Sequence, residues 1–148
     1  MKICIGCDHG ALELKHSVLE VLSEYKDIQV EDAGTFNKES VDYPDIAEKV
    51  CHKIKDGQAE RGILMCGTGI GISMAANKVH GIRAALCSDV YSARMSREHN
   101  DANVLVMGGR VLGPGPASEI VRAWLDTEFS NGERHKRRIE KMMALENK

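Results

Sequence analysis

The chain has 148 residues, with 20 basic and 22 acidic side chains and a formal net charge of −2. That length suits one domain that buries its own core without staples, and 43% hydrophobic with 28% charged residues excludes a disordered or fibrous chain. The near-even charge balance implies no nucleic-acid or membrane-surface partner, and no apolar run reaches the ~18 residues of a membrane span.

In chain order, Lys2-Ile3-Cys4-Ile5-Gly6-Cys7 reads as a buried strand, and Asp8 and His9 interrupt the apolar stretch too early for a signal peptide. Residues 11–25 carry Leu12, Leu14, Val18, Leu19, Val21 and Leu22 at broadly helical spacing. Ile28-Gln29-Val30 is a short second strand, followed through Gly34 by a polar loop over 35–42. Pro44 suits the first turn of a helix with Ile46, Ala47, Val50, Cys51 and Ile54 on one face, ended by Gly57. Arg61 to Cys66 is a third strand, and a glycine turn leads into a helix over 69–78. Arg83 to Cys87 is a fourth strand, with a helix near 89–97. Ala102 to Met107 is a fifth. A Gly/Pro-rich loop, Gly108 to Pro116, precedes a helix at 117–129, and Gly132 sets off a charged last helix at 133–145.

Strand-then-helix units predict an α/β fold, a parallel sheet covered on both faces. No linker or repeat divides it, so one domain spans 1–148. Five cysteines, an odd number, read as reduced thiols in a cytoplasmic protein. Cys51 and Cys87 read as core thiols, the Met residues as core filler, and Met142-Met143 as a partner-facing patch. Metal binding is not expected. Cys4 and Cys7 have no second pair, and strand alternation points them to opposite faces.

In open α/β sheets ligands bind beyond the carboxyl ends of the strands. The strongest local signal there is Cys66-Gly67-Thr68-Gly69-Ile70-Gly71. Its glycines allow close backbone approach, and free N–H groups at a helix start can hold an anion and favour a thiolate. A tight structural turn whose Cys fills space explains the pattern equally well. A P-loop needs Lys-Ser/Thr after its second Gly, where this chain has Ile72-Ser73, and a dinucleotide fingerprint belongs at the first βα turn. Asp8 by itself is a plain helix cap, and His99 by itself a helix-end histidine complementing the dipole. Arg134 and Arg138, four apart, share a helix face and could clamp a phosphate, although a charge run is usually a solvated face.

Gly6-Cys7-Asp8-His9-Gly10, Asp42-Tyr43-Pro44-Asp45, the Cys66 turn, Ala75-Ala76-Asn77-Lys78, His99-Asn100-Asp101-Ala102-Asn103 and Gly108-Gly109-Arg110 together closely resemble the B-type ribose-5-phosphate isomerases, a family that includes galactose-6-phosphate and allose-6-phosphate isomerases. The resemblance spans nearly the whole chain. It implies a three-layer αβα Rossmann-like fold with a five-stranded sheet. It also implies a cofactor-free, metal-free aldose–ketose isomerase of a small sugar phosphate, and a homodimer with active sites at the subunit interface, its last helix at that interface and further pairing to a tetramer left open. Carried over by position, Cys66 is the base that takes the C2 proton and Thr68 moves a proton between the substrate oxygens. Asp8 and His99 open the furanose ring, His99 coming from the neighbouring subunit. His9, Arg134 and Arg138 hold the phosphate, while Tyr43, Asn100 and Arg110 line the pocket. The amides of Gly67, Gly69, Ile70 and Gly71 face the enediolate oxygen. Some relatives use a Glu a few residues later as base, but Ile72-Ser73 stands in that region here. The expected reaction is ribose 5-phosphate to ribulose 5-phosphate. The alternatives are the same chemistry on allose or galactose 6-phosphate, and a non-catalytic phosphosugar-binding module.

Overall fold

A computed structural model describes all residues, Met1–Lys148. Five strands, β1 (Lys2–Cys7), β2 (Gln29–Asp32), β3 (Arg61–Cys66), β4 (Ala84–Leu86) and β5 (Val104–Gly108), form one sheet in the order β2-β1-β3-β5-β4. Every pairing is parallel. The helices are α1 (Leu12–Leu22), α2 (Tyr43–Lys55), α3 (Ile70–Ala76), α4 (Val90–Glu98), α5 (Pro114–Asp126) and α6 (Glu133–Ala144).

Alternation along the central strands sorts their side chains into two cores. Ile3, Ile5, Cys7, Ile63, Met65, Leu105 and Met107 point to one face, where Leu14, Val18, Ile120, Val121 and Trp124 of α1 and α5 meet them. Cys4, Leu64, Cys66, Val104 and Val106 point to the other, under Ile46, Val50 and Cys51 of α2 and Ile72 and Ala76 of α3. Cys4 and Cys7 therefore do face opposite ways, and Cys51 and Cys87 are core thiols, each no more than 1% exposed. The result is the expected three-layer α/β arrangement. No helix is long and apolar enough to cross a membrane.

Three expectations are corrected. The last loop is shorter than its prolines suggested: α5 starts at Pro114 and ends at Asp126, rather than spanning 117–129. Proline costs nothing in a first turn, where its missing N–H has no carbonyl to meet. Helix α1 stops at Leu22 because the amides of Glu24 and Tyr25 turn back onto Val21 and Leu22, three residues away, in place of the four-residue helical bond. Not all methionines fill the core: Met65 and Met107 do, while Met74 is 64% exposed on α3. Strands β2, β4 and β5 differ from the reading by one or two residues at their ends.

α6 stands apart from this packing. It buries none of its residues. Hydrogen bonds tie its two ends to the body: Ser130 N–H donates to the Glu98 carbonyl just before it, and Gly81 N–H to Glu146 just after it.

Candidate active site

The chain leaves β1 for one edge of the sheet and returns to place β3 on the other side. The crevice at such a reversal is where open α/β sheets bind ligands. Asp8 follows β1 and the Cys66 turn follows β3, so the order of strands makes them neighbours. Asp8 N–H donates to the Met65 carbonyl at 3.1 Å. Its carboxylate accepts from Gly10 N–H at 2.9 Å, capping the short helical turn after β1.

Cys66 ends β3 with its side chain 5% exposed. The sulfur accepts the Gly69 N–H at 3.1 Å, and Thr68 Oγ1 accepts the Ile70 N–H at 3.1 Å. Gly69 sits at φ +80°, which a side chain would resist, and this turns its amide back toward the sulfur. The other four cysteines receive no such bond. Burial first of all pushes Cys4, Cys7 and Cys87 up to about 11, and Cys51 up to about 12. Geometry thus singles out one thiol of five.

The rest of the crevice closes around that turn. Arg110 N–H donates to the Gly67 carbonyl at 2.9 Å, and Gly109 N–H to the Cys66 carbonyl at 2.8 Å, which ties the loop after β5 to the loop after β3. Tyr43, at the start of α2, lies so close over Gly71 that a Cβ there would stand 2.6 Å from its ring. His9 Nδ1 accepts the Val41 N–H at 3.3 Å. A hollow of about 320 Å³ runs between His9, Gly10, Glu13, Lys38, Gly109 and Arg110. Two roomier hollows, about 500 and 520 Å³, lie elsewhere, one between the end of α6 and β4, the other beside α2 and α3.

The structure does not bring His99, Asn100, Arg134 or Arg138 to this crevice. His99 caps the carboxyl end of α4, just ahead of β5. Register pairs Val104 with Gly62 and Gly108 with Cys66, so His99 and Asn100 lie beyond the start of strands whose far ends carry the sulfur. Four residues of strand span roughly 13 Å. His135 of α6 stacks on His99 with ring centroids 4.4 Å apart, which puts the amino end of α6 at that same far edge. Arg134 and Arg138 are exposed there, and neither is held in an ion pair.

Three groups at the crevice escape the sequence reading. Lys38 sits in a polar loop without periodicity. The Val41 amide carries no residue-type signal at all. Lys15 looks like any helix lysine, yet it is 2% exposed, 2.9 Å from Asp32 and 2.6 Å from the Thr35 carbonyl, and so anchors the 35–42 loop from below. Only the absence of a polar side chain's usual exit to solvent, a tertiary fact, marks it.

A family model described as Ribose/Galactose Isomerase matches residues 3–142. A ribose-5-phosphate isomerase B of Escherichia coli is 48% identical over 145 residues, 98% of this chain and 96% of that protein. A D-erythrulose-4-phosphate isomerase of Pectobacterium atrosepticum is 48% identical over 133 residues, 89% and 87% of the two chains. Among solved structures, the ribose-5-phosphate isomerase B of Clostridium thermocellum superposes with a TM-score of 0.95 at 52% identity, covering 99% of this chain and 98% of that one.

Proposed function

The chain belongs to the ribose/galactose isomerase family, and from that premise we propose that it interconverts D-ribose 5-phosphate and D-ribulose 5-phosphate. The observation that carries this reading is the Cys66 sulfur, bonded by the Gly69 N–H at 3.1 Å inside a turn of backbone amides.

Isomerisation moves one proton from C2 to C1. Cys66, as thiolate, takes the C2 proton and leaves an enediolate whose negative oxygen faces the amides of Gly67 and Gly71, while those of Gly69 and Ile70 hold the sulfur and the Thr68 hydroxyl beside it. Such preorganised donors act where charge develops, and losing one commonly costs roughly 100–1000-fold. The Thr68 hydroxyl passes a proton between the C1 and C2 oxygens, and the thiol returns its proton to C1. The sulfur's bond from Gly69 suits it to carry negative charge between those steps.

Most ribose 5-phosphate is cyclic, so the ring must open first. Asp8 draws the proton from the C1 hydroxyl while His99 gives one to the ring oxygen. Sulfur and imidazole lie at opposite ends of one sheet. We therefore place His99 and Asn100 in the crevice of a second copy, together with Arg134 and Arg138, which hold the phosphate with His9. Tyr43 and Arg110 line the sugar. A two-fold pair of chains makes two such sites by one exchange. The exposed Met142, at 40%, and the unburied face of α6 support a contact with that copy. Five free, buried thiols suit a reducing cytoplasm.

The test is turnover of the purified chain on D-ribose 5-phosphate, D-allose 6-phosphate, D-galactose 6-phosphate and D-erythrose 4-phosphate, with and without chelator. Highest kcat/KM on the five-carbon sugar, unmoved by chelator, is expected. Preference for a six-carbon sugar would replace the substrate assignment, and phosphosugar binding with no turnover would leave only a binding module.

A further inference from the structure

His99 does not stand free at the end of α4. The His135 ring packs against it with centroids 4.4 Å apart and planes 31° from parallel. His135 is itself held, since its Nδ1 lies 2.7 Å from Ser130 Oγ. That hydroxyl oxygen also accepts the Gly132 N–H at 3.1 Å, which fixes the serine against the start of α6. Lost hydration, then the neighbouring His99, Arg134 and Arg138, holds His135 below the usual histidine range. Ser130 is fixed in turn by its N–H donating to the Glu98 carbonyl at 3.0 Å, one residue before His99. The chain thus folds back to brace the residue it left some thirty positions earlier.

We propose that His135 is a positioning residue: its ring, locked by Ser130, holds the His99 imidazole in the one orientation that delivers a proton to the furanose ring oxygen. The proposal rests on the ring-opening role given to His99 above. A flexible histidine at a helix end samples several rotamers, and misplacing a proton donor by ~1 Å can cost ~100-fold. A stacked ring removes most of those rotamers without touching the substrate.

Sugars that differ in ring closure separate this role from a merely structural one. D-erythrose 4-phosphate has its only candidate ring hydroxyl esterified, so it reaches the enzyme open. His135→Ala should lower turnover of ribose 5-phosphate roughly 10–100-fold and leave that of erythrose 4-phosphate within about twofold. His135→Phe, which keeps an aromatic face, should restore roughly half of the lost rate. Unchanged ribose 5-phosphate turnover in His135→Ala, or equal loss on both sugars, would overturn the proposal. His99→Asn serves as reference. If it too loses both sugars equally, the ring-opening reading of His99 has failed first, and the proposal falls with it. A second readout needs no substrate. The ring nitrogen and carbon resonances of His99 in the free enzyme should report one tautomer and one ring environment in the unaltered chain, and averaged ones in His135→Ala. Identical His99 signals in the two proteins would sink the idea whatever the kinetics.

Discussion

The two ends of the sheet are built on different terms. At the carboxyl ends of β1, β3 and β5 the groups are held by backbone: Cys66 by the Gly69 amide, Asp8 by Gly10, and the loops after β3 and β5 by two hydrogen bonds between them. At the opposite end Arg134 and Arg138 are exposed side chains on a helix that buries nothing of its own, and half-buried His99 caps the neighbouring α4. The contrast matches the chemistry assigned to each. A base and an oxyanion cradle must be placed to a fraction of an ångström before substrate arrives. Groups that grip a phosphate or open a ring can wait on a neighbouring molecule, provided that something such as His135 keeps them in order.

The largest expected effect bears on the backbone-held end. Cys66→Ala should cost roughly 100–10,000-fold in turnover, the usual range for a general base, with unchanged circular dichroism and melting. Loss below tenfold would remove the sulfur from the chemistry. Next comes the division of labour. Cys66→Ala and His99→Asn, each feeble alone, should regain about a quarter of the unaltered activity when unfolded and refolded together in equal amounts, since half of the mixed pairs' sites inherit no defect. No recovery would place Cys66 and His99 of one chain in the same site. Gly71→Ala puts a methyl 2.6 Å from the Tyr43 ring. It should drive the tyrosine out and reduce kcat/KM roughly 10–100-fold, mostly by raising KM.

Lys15→Met tests how firmly the crevice end is braced. It strands Asp32 and the Thr35 carbonyl without their buried cation, which should cost about 3 kcal/mol in urea unfolding. The smallest effect separates Cys66 from the other thiols. Unfolded thiols ionise from the ordinary 9.0, whereas folded Cys4, Cys7 and Cys87 hold their protons to about 11 and Cys51 to about 12. Their folded pKa values are raised, so this contribution is whole below pH 9 and is lost as pH climbs toward 11–12. The melting temperature should begin to fall above pH 9, while at neutral pH iodoacetamide should reach Cys66 well before the other four.

Much of the site was legible residue by residue. Gly69 at positive φ, Asp8 as a cap and Pro44 in a first turn are local matters settled within four residues of chain. The alternation of Ile3, Cys4 and Ile5 between two cores is likewise a two-residue rule. Pro114 and Pro116 misled only because a first turn tolerates what a loop also favours. Spacing could not show that Lys15 is buried under Thr35, that Lys38 faces His9 across a hollow, or that His135 lies on His99. Those contacts join residues 20 to 36 positions apart.

The sequence by itself determined the strand–helix alternation, the two-faced sheet and the Cys66 turn, because hydrophobic period and turn chemistry act over short stretches and need no partner to be read. Tertiary structure alone decided which turns meet and which end of the sheet each charged group occupies. Those facts depend on strand order β2-β1-β3-β5-β4, and a buried strand's apolar pattern is the same whichever neighbour it pairs with.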